Sequence, residues 1–566
     1  MTDTTASPSV LTGIPVVPGV ARGPVLLAGS SGRAEVSAEA LAAYGDGGHR
    51  DVPAALAAYD AAAAGVAADL SGRAERATGA AAEVLRAGAV LATDPALREA
   101  VRARLRAGAP VLPSVSGAVG ELAEALTARG GPTAERVADL RDIERRVVAR
   151  LVGAPEPAAP RPSGPVVLVA DDLAPSDTTG LDPDLVVGLV LERGGPTGHT
   201  AIVARQLGIA CLVGVAGATR IPAGTPVLLD ATAGVVLVAP GEDEQRRADS
   251  GRPAAAAWTG PGRTADGTPV PLLASVSDAA SAARAAREPV EGVGLFRTEL
   301  CLAGHRVEPT VAEQAVMYAE VLGPFRGRRV VVRTLDAAPD KPVAYPPGAE
   351  HVDPALGVRG LRRSLVDPGP LERQLDAVAA AAARTGTEAW VLAPMVATVA
   401  EAAWFATAVR RRGLSPGVMV EVPAAALLAD RMLEVVDFLS IGTNDLAQYA
   451  MAADRNAPDL AHLCDPWQPA VLRLVAMATA AGRRAGKPVG VCGEAAADPL
   501  LACVLVGLGA TSLSLAAPAA RSVGARLAAV DLDACASAAA VALTAADPAA
   551  ARAAAARALD TAAGSS

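Results

Sequence analysis

The stretch Gly194-Gly195-Pro196-Thr197-Gly198-His199-Thr200, continuing as Ala201-Ile202-Val203-Ala204-Arg205, follows the apolar run Leu185–Leu191. The run reads as a strand and the continuation as a helix. Glycine takes the positive φ that a tight turn needs, so the glycine pair marks a strand-to-helix turn. His199 then falls in the first helical turn, where unpaired backbone N–H groups and the helix dipole draw anions. An imidazole placed there is a candidate nucleophile toward phosphorus, with the helix terminus to hold the phosphoryl oxygens. A lone histidine more often caps or fills space, and the rest of the chain has to decide.

Working outward toward the N-terminus, Gly13–Pro24 is a β segment punctuated by Gly and Pro, followed by the strand-like Val25–Ala28. From about 36 to 152 apolar residues recur at three- and four-residue spacing, which predicts helices. Asp94-Pro95-Ala96-Leu97-Arg98 is a helix start, and Val137–Arg146 is amphipathic and strongly charged. A proline-rich link, Pro155–Pro165, returns the chain to β pattern at Pro165–Ala170, and the β pattern closes near Val235–Pro240. The reading is one discontinuous β/α domain, 1–35 with 153–240, interrupted by a helical block at 36–152. Such a block is a passive spacer or a place for a partner to dock.

On the C-terminal side, 241–263 is a polar, Gly/Pro-broken linker. Beyond it eight short apolar strands alternate with helical stretches. They are Val270–Ser275, Gly292–Phe296, Arg329–Arg333, Trp390–Met395, Gly417–Val422, Phe438–Gly442, Pro488–Cys492 and a segment around Ser514. That alternation predicts a (β/α)8 TIM-type barrel at 264–545, in an α/β protein overall. The uncharged run from Pro499 to Ala520 is long enough to span a bilayer. Its glycines and serines, and the N-cap pair Asp498-Pro499, make it a buried helix, a turn and a strand instead. Residues 546–566 read as a low-complexity tail ending in a frayed helix.

Composition sets outer limits. The 566 residues are too many for one core, 51% are apolar and only 2% aromatic, which suits a helix-rich α/β chain of several domains. A net charge of −9 argues against nucleic acid or an anionic membrane as the main partner. Six scattered cysteines without a CxxC pair suit reduced thiols. With no basic, apolar signal segment at the start, a soluble cytoplasmic chain is expected.

Barrel active sites lie at the C-terminal ends of the strands. There the sequence places Arg297-Thr298-Glu299, Arg333-Thr334-Leu335-Asp336, Glu421, Thr443-Asn444-Asp445 and Cys492-Gly493-Glu494. Arginines make charged, bidentate contacts to phosphate and carboxylate. Glu421 and Asp445, on adjacent strands, offer hard oxygens suited to Mg2+. One such residue is an ordinary rim ion pair; five strands bearing them predict a small anionic substrate with a metal. Among 51 basic residues only Lys341 and Lys487 are lysines, and Lys341 follows Asp336 and Asp340, where a phosphate contact fits.

Gly194–Arg205, Gly292–Glu299, Arg333–Lys341, Gly417–Ala424, Ser440–Arg455 and Gly490–Glu494 together resemble enzyme I of the phosphoenolpyruvate–sugar phosphotransferase system. The resemblance runs from Gly13 to about Arg526. It implies a swivelling phosphohistidine domain, a helical insertion that binds the carrier protein HPr, and a phosphoenolpyruvate-binding barrel that forms a homodimer. It implies that His199 is phosphorylated on Nε2, with Thr178 and Arg205 nearby. Arg297, Arg333 and Arg455 would hold the substrate's anionic groups, with Arg359, Lys341 and Asn444 alongside. Glu421 and Asp445 would bind Mg2+, and Cys492 would protonate the enolate carbon of the departing pyruvate. The chain departs from the family pattern at Gly198, Ala338-Pro339, Asp353 and Cys464–Trp467, none of which is one of those residues. A nucleotide-dependent relative would need a large nucleotide-grasping domain, and a nitrogen-type paralogue a sensory one. A catalytically silent paralogue that only binds HPr-like partners is the remaining alternative.

Overall fold

Strand β4 (Val166–Ala170) is buried at every position, and its residues alternate between two separate cores. Val166, Leu168 and Ala170 face one core, Val167 and Val169 the other, as a two-residue side-chain period demands. Around it run β1 (Ser9–Thr12), β2 (Ile14–Val17), β3 (Val20–Leu27), β5 (Val186–Leu191), β6 (Ala210–Val213), β7 (Pro226–Asp230) and β8 (Val235–Val238). They form an eight-stranded sheet in the order β1-β8-β7-β3-β4-β5-β6-β2, parallel across β3-β4-β5-β6 and antiparallel elsewhere. The computed structural model describes residues 9–17, 19–28, 51–76, 80–129, 132–154, 162, 164–173, 175–178, 181–193, 199–231, 234–241, 258–302, 305, 307–336, 355–455 and 458–563.

Between β3 and β4 the expected helical block consists of Val52–Arg76, Ala80–Ala92, Pro95–Arg106, Val111–Arg129 and Pro132–Leu151. It has its own core, built by Leu97, Val101 and Leu105 from one helix and Leu140, Ile143 and Val147 from another. The Asp94 side chain caps the third helix, accepting from the Ala96 and Leu97 N–H groups at 2.7 and 3.3 Å. The sheet and the helical block form one compact unit, Met1–Arg246, and the rest of the chain, Arg247–Ser566, forms a second.

The second unit is a closed parallel barrel of β9 (Leu272–Val276), β10 (Val293–Arg297), β11 (Arg329–Arg333), β12 (Glu388–Ala393), β13 (Ser415–Val420), β14 (Phe438–Gly442), β15 (Val489–Cys492) and β16 (Ser512–Leu515). The eight expected strands are all present, with ends displaced by up to two residues. Leu295, Val331, Leu392, Met419, Phe438 and Cys492 form a small inner cluster, while a much larger core lies between the strands and the helices. Gly417 makes room for that inner packing, since a Cβ there would meet the Phe438 ring at 2.3 Å. Asp498 caps the helix Pro499–Leu508, and Gly509 ends it in the left-handed conformation, as the N-cap signal predicted. Lys487 is a structural lysine, its half-buried ammonium donating to the carbonyls of Leu433 and Val436 at 2.6 and 2.7 Å.

Two expectations fail here. The low-complexity tail is not frayed: Pro548–Ala563 is a helix whose Ala551, Ala555 and Leu559 are fully buried against the barrel unit. Alanine every fourth residue gives a narrow face that lets another helix approach closely. The linker is also shorter than expected. Residues 242–257 lie outside the described residues, but Trp258 packs on the barrel core and the Gly262 N–H donates to Glu291 at 3.0 Å. Among the described residues, no helix is long and apolar enough to cross a membrane.

Candidate active site

In the first unit β5 delivers the chain to Glu192 and Arg193, and Arg193 pairs with Asp171 beyond the end of β4. The next helix, His199–Leu207, begins at the histidine itself, which places it in the first turn. The turn 194–198 and the side chains of His199 and Arg205 lie outside the described residues. The helix start is anchored by Thr200, whose buried hydroxyl donates to the Leu173 carbonyl at 3.4 Å. Thr178 is buried at the end of the short helix Pro175–Thr178, which packs against the histidine helix. Its neighbour Asp177 is tied to the helical block by Arg146, which bridges Asp142 at 2.9 Å and Asp177 at 3.3 Å. Burial and the nearby Asp142 push the Asp177 carboxyl up, against the pull of Arg146, Arg145 and Arg73.

In the second unit the parallel barrel brings the C-terminal ends of β10, β11, β13, β14 and β15 to one rim. Arg297 and Arg333 are the last residues of their strands, Glu421 is the first beyond β13, and Cys492 ends β15. Asn444 and Asp445 occupy the first turn of the helix Thr443–Met451. Gly493 takes φ 103°, and a Cβ there would come within 2.6 Å of the Thr443 hydroxyl and 3.2 Å of the Asn444 Oδ1. Glycine at this position therefore allows the β15 and β14 arms to close on each other.

The charged residues converge into one buried lattice. Asp336 accepts from Arg359 Nε at 3.2 Å and Nη2 at 2.7 Å, a bidentate pair. Arg359 Nη1 reaches Asp445 Oδ1 at 3.2 Å and the Tyr449 hydroxyl at 3.1 Å, while Arg455 Nη1 takes Asp445 Oδ2 at 3.1 Å. Glu299 Oε1 accepts from Arg333 Nη2 at 2.8 Å and from the Asp336 N–H at 3.0 Å. Burial works against the Arg333 charge, but Glu299, Asp336, Glu421 and Asp445 outweigh it and hold the guanidinium protonated. Arg297 differs. It is exposed to solvent and has no hydrogen-bonded carboxylate among the described residues, and crowding by protein atoms together with repulsion from Arg333 lowers its proton affinity.

Glu421 is buried, and its Oε1 accepts the Met395 N–H at 2.7 Å. Met395 holds φ 60°, rare for a non-glycine residue, so local backbone strain aims that N–H. Burial first, then Asp445 and Asp336, raise the Glu421 carboxyl well above the usual carboxylate range, although Arg333 and Arg359 oppose them. The Cys492 thiol donates to the Ile441 carbonyl at 3.2 Å. Burial pushes it up to about 11 despite the opposing pull of Ser440, Arg333 and Arg297. Two buried atoms of this lattice, Arg333 Nε and Glu299 Oε2, have no hydrogen-bond partner among the described residues. An unpaired buried polar group costs about 1–3 kcal/mol and is a place to look for a ligand.

Of the residues expected from sequence, Arg333, Arg359, Asp445 and Arg455 meet in the lattice, while Arg297, Glu421, Asn444 and Cys492 lie on the same rim. Lys341 lies outside the described residues, as do Gly198, Ala338, Pro339 and Asp353. Sequence reading assigned no role to Tyr449, which donates to the Ala355 carbonyl at 2.6 Å, or to Gln374, which links Thr298, Tyr318 and the Leu335 N–H. Tyr449 stands one helical turn after Asp445, a spacing that puts both on one face. Gln374 gave no such signal.

Three family profiles match the chain. PEP-utilising enzyme, N-terminal, covers 12–136; PEP-utilising enzyme, mobile domain, covers 162–234; and PEP-utilising enzyme, PEP-binding domain, covers 253–532. A phosphoenolpyruvate-protein phosphotransferase of Streptomyces coelicolor is 49% identical over 84% of this chain and 87% of its own length. One from Haloferax volcanii is 39% identical over 77% and 80%. A multiphosphoryl transfer protein of Rhodobacter capsulatus is 40% identical over 69% of this chain, which spans about half (49%) of that longer relative.

Proposed function

The chain belongs to the family of phosphoenolpyruvate-protein phosphotransferases, and we propose that it moves the phosphoryl group of phosphoenolpyruvate to His199 and then to a histidine of an HPr-type carrier, releasing pyruvate. The observation that carries this reading is the rim of the barrel. Among the described residues, an Arg297 with no hydrogen-bonded carboxylate and a buried Arg333 Nε with no hydrogen-bond partner stand beside two carboxylates and a protonated thiol. Phosphoryl transfer asks for positioning and charge neutralisation, and this is a site of that chemistry. Arg297, Arg333 and Arg455 would take the phosphate and carboxylate of the substrate, with Asn444 and Lys341 beside them. Arg359 is already committed to Asp336 and Asp445, so it acts by holding the lattice in shape.

The family resemblance also implies Mg2+. Among the described residues no three His, Cys, Asp or Glu side chains are arranged as a metal cage. Glu421 and Asp445 fit a more open arrangement, because burial first and then repulsion from Asp445 raise the Glu421 carboxyl, and a dication relieves both. A cation that keeps several waters and binds partly through substrate phosphate needs only one or two carboxylates. Bound there, it would supply charge neutralisation at the phosphate and at the enolate oxygen.

A neutral imidazole, whose unperturbed value is about 6.5, is a competent phosphoryl acceptor near pH 7, and His199 takes that role. Its Nε2 forms the N–P bond as the P–O bond of the substrate breaks. The electron pair passes to the enolate, and the Cys492 thiol gives its proton to the methylene carbon to complete pyruvate. Thr178 and Arg205 would steady the phosphorylated imidazole, and the helical block 36–152 would dock the carrier. A homodimer built through the barrel, in the cytoplasm, completes the reading.

The test follows radiolabel from phosphoenolpyruvate onto the chain. Wild type should gain an acid-labile, base-stable label, and folded His199→Ala none. Label on that variant, or none on wild type with Mg2+ present, refutes the assignment. The silent-paralogue alternative has nothing to recommend it while His199, Cys492, Glu421 and Asp445 are all in place.

A further inference from the structure

Trp467 is fully buried. Its backbone N–H donates to Asp465 Oδ1 at 2.8 Å and its indole N–H to Asp498 Oδ2 at 3.1 Å. The same Asp498 Oδ2 pairs with Arg552 Nη2 at 3.2 Å, and the Arg552 guanidinium lies 5.2 Å from the centre of the Trp467 ring, within reach of a cation–π attraction. The other oxygen, Asp498 Oδ1, accepts from the Leu500 and Leu501 N–H groups at 2.9 and 3.3 Å.

One carboxylate thus joins three parts of the barrel unit. Trp467 ends the stretch that leaves Arg455 through the 3-10 turn Pro458–Cys464, and Asp498 ends the stretch that leaves Cys492 through Glu494–Ala497. Arg552 belongs to the C-terminal helix Pro548–Ala563, itself fixed by Ala551, Ala555 and Leu559.

We propose that Arg552 is a positioning residue for the barrel chemistry: through it the C-terminal helix holds the Arg455 arm and the Cys492 arm in fixed relation. The proposal rests on the function assigned above to those two arms. It gives the last helix a role in the reaction, although no residue of that helix stands on the rim. Two separate arms must present a cation and a proton donor to one small substrate, and a displacement of about 1 Å costs on the order of a hundredfold in rate.

The test uses the full chain with Mg2+. Arg552→Met keeps the stem and removes both the charge and the cation–π contact, while Arg552→Lys restores the charge. Arg552→Met should slow both labelling by phosphoenolpyruvate and exchange of pyruvate methyl protons in D2O by about ten- to a hundredfold. Arg552→Lys should recover most of that loss. Phosphoryl exchange with phosphorylated carrier, which needs only His199, should stay at the wild-type rate. Wild-type labelling and proton exchange in Arg552→Met would overturn the proposal, and so would an equal loss of carrier exchange. If Arg552→Met does not fold, Asp498→Asn serves instead: asparagine still caps the helix through Oδ1, while the Arg552 ion pair and the Trp467 indole hydrogen bond at Oδ2 are lost together. If wild type takes no label from phosphoenolpyruvate, the functional reading fails rather than this one. Amide hydrogen exchange then decides: faster exchange at 458–468 and 494–501 in the variant supports the strap, and unchanged protection overturns it.

Discussion

The two ends of the proposed phosphoryl path are built differently. At the barrel rim, Glu299, Arg333, Asp336, Arg359, Asp445 and Arg455 hold one another through a continuous set of charged hydrogen bonds. At the other end a histidine starts a nine-residue helix, and the ion pairs nearby, Arg146 with Asp142 and Asp177, brace the neighbouring helix Pro175–Thr178. A donor site has to stabilise charge that appears in the transition state, which calls for preorganised dipoles and ions. An acceptor that meets two partners in turn needs a nucleophile at an anion-favouring helix end and little else. On the proposed reading, the barrel rim is where the P–O bond of the substrate breaks.

The comparison breaks most completely if the first unit works without the second. A fragment ending at Arg246 should exchange phosphoryl groups with phosphorylated carrier and take none from phosphoenolpyruvate. Any direct labelling of the fragment would move substrate binding out of the barrel.

The next largest effect concerns the thiol. Cys492→Ala should slow methyl-proton exchange of pyruvate in D2O by about 10²–10⁴-fold, the usual worth of a positioned acid or base. Cys503→Ala, in the helix after β15, should leave the rate nearly unchanged. The raised thiol sharpens this further. With a value of about 11, Cys492 is protonated at pH 8, so alkylation there should be slow and should accelerate as pH rises toward 11. Fast alkylation of Cys492 near neutrality would show a thiolate and remove it as proton donor.

Removing one charged donor from the lattice should cost somewhat less. Arg333→Met is expected to lower the rate of labelling by phosphoenolpyruvate by about 10²–10³-fold, comparable to loss of a single oxyanion-stabilising group. Carrier exchange should be untouched, and a parallel fall in both assays would point to a folding defect. The smallest effect is expected at a helix cap in the helical block. Asp94→Ala removes a helix cap and should lower the stability of the first unit by about 1 kcal/mol in urea titration, with labelling unchanged.

Sequence carried the architecture well wherever periodicity was strong. The eight barrel strands, the helical block and the helix that begins at His199 follow from apolar spacing. Strand ends moved because hydrogen-bond register, not hydropathy, sets them: β13 starts at Ser415-Pro416, ahead of the apolar run at Gly417. The rim residues were legible as types at strand ends, but their connections were not. Gln374 meets Thr298 and Tyr318 across 76 and 56 residues, and no local spacing encodes such a meeting. The C-terminal helix was misread for a related reason. Alanine gives little amphipathic contrast, so a packed alanine face and an idle low-complexity tail look alike until the partner surface is known.

Lys487 has a practical consequence. The chain has only two lysines, and the ammonium of this one is turned into the carbonyls of Leu433 and Val436. Amine-directed acylation or cross-linking therefore has a single lysine, Lys341, on which to act. If Lys341 attends the substrate as proposed, mild acylation becomes a footprint of occupancy. An acyl group on Lys341, located by peptide mapping apart from any on the α-amino group, would report an empty site, and phosphoenolpyruvate would suppress it.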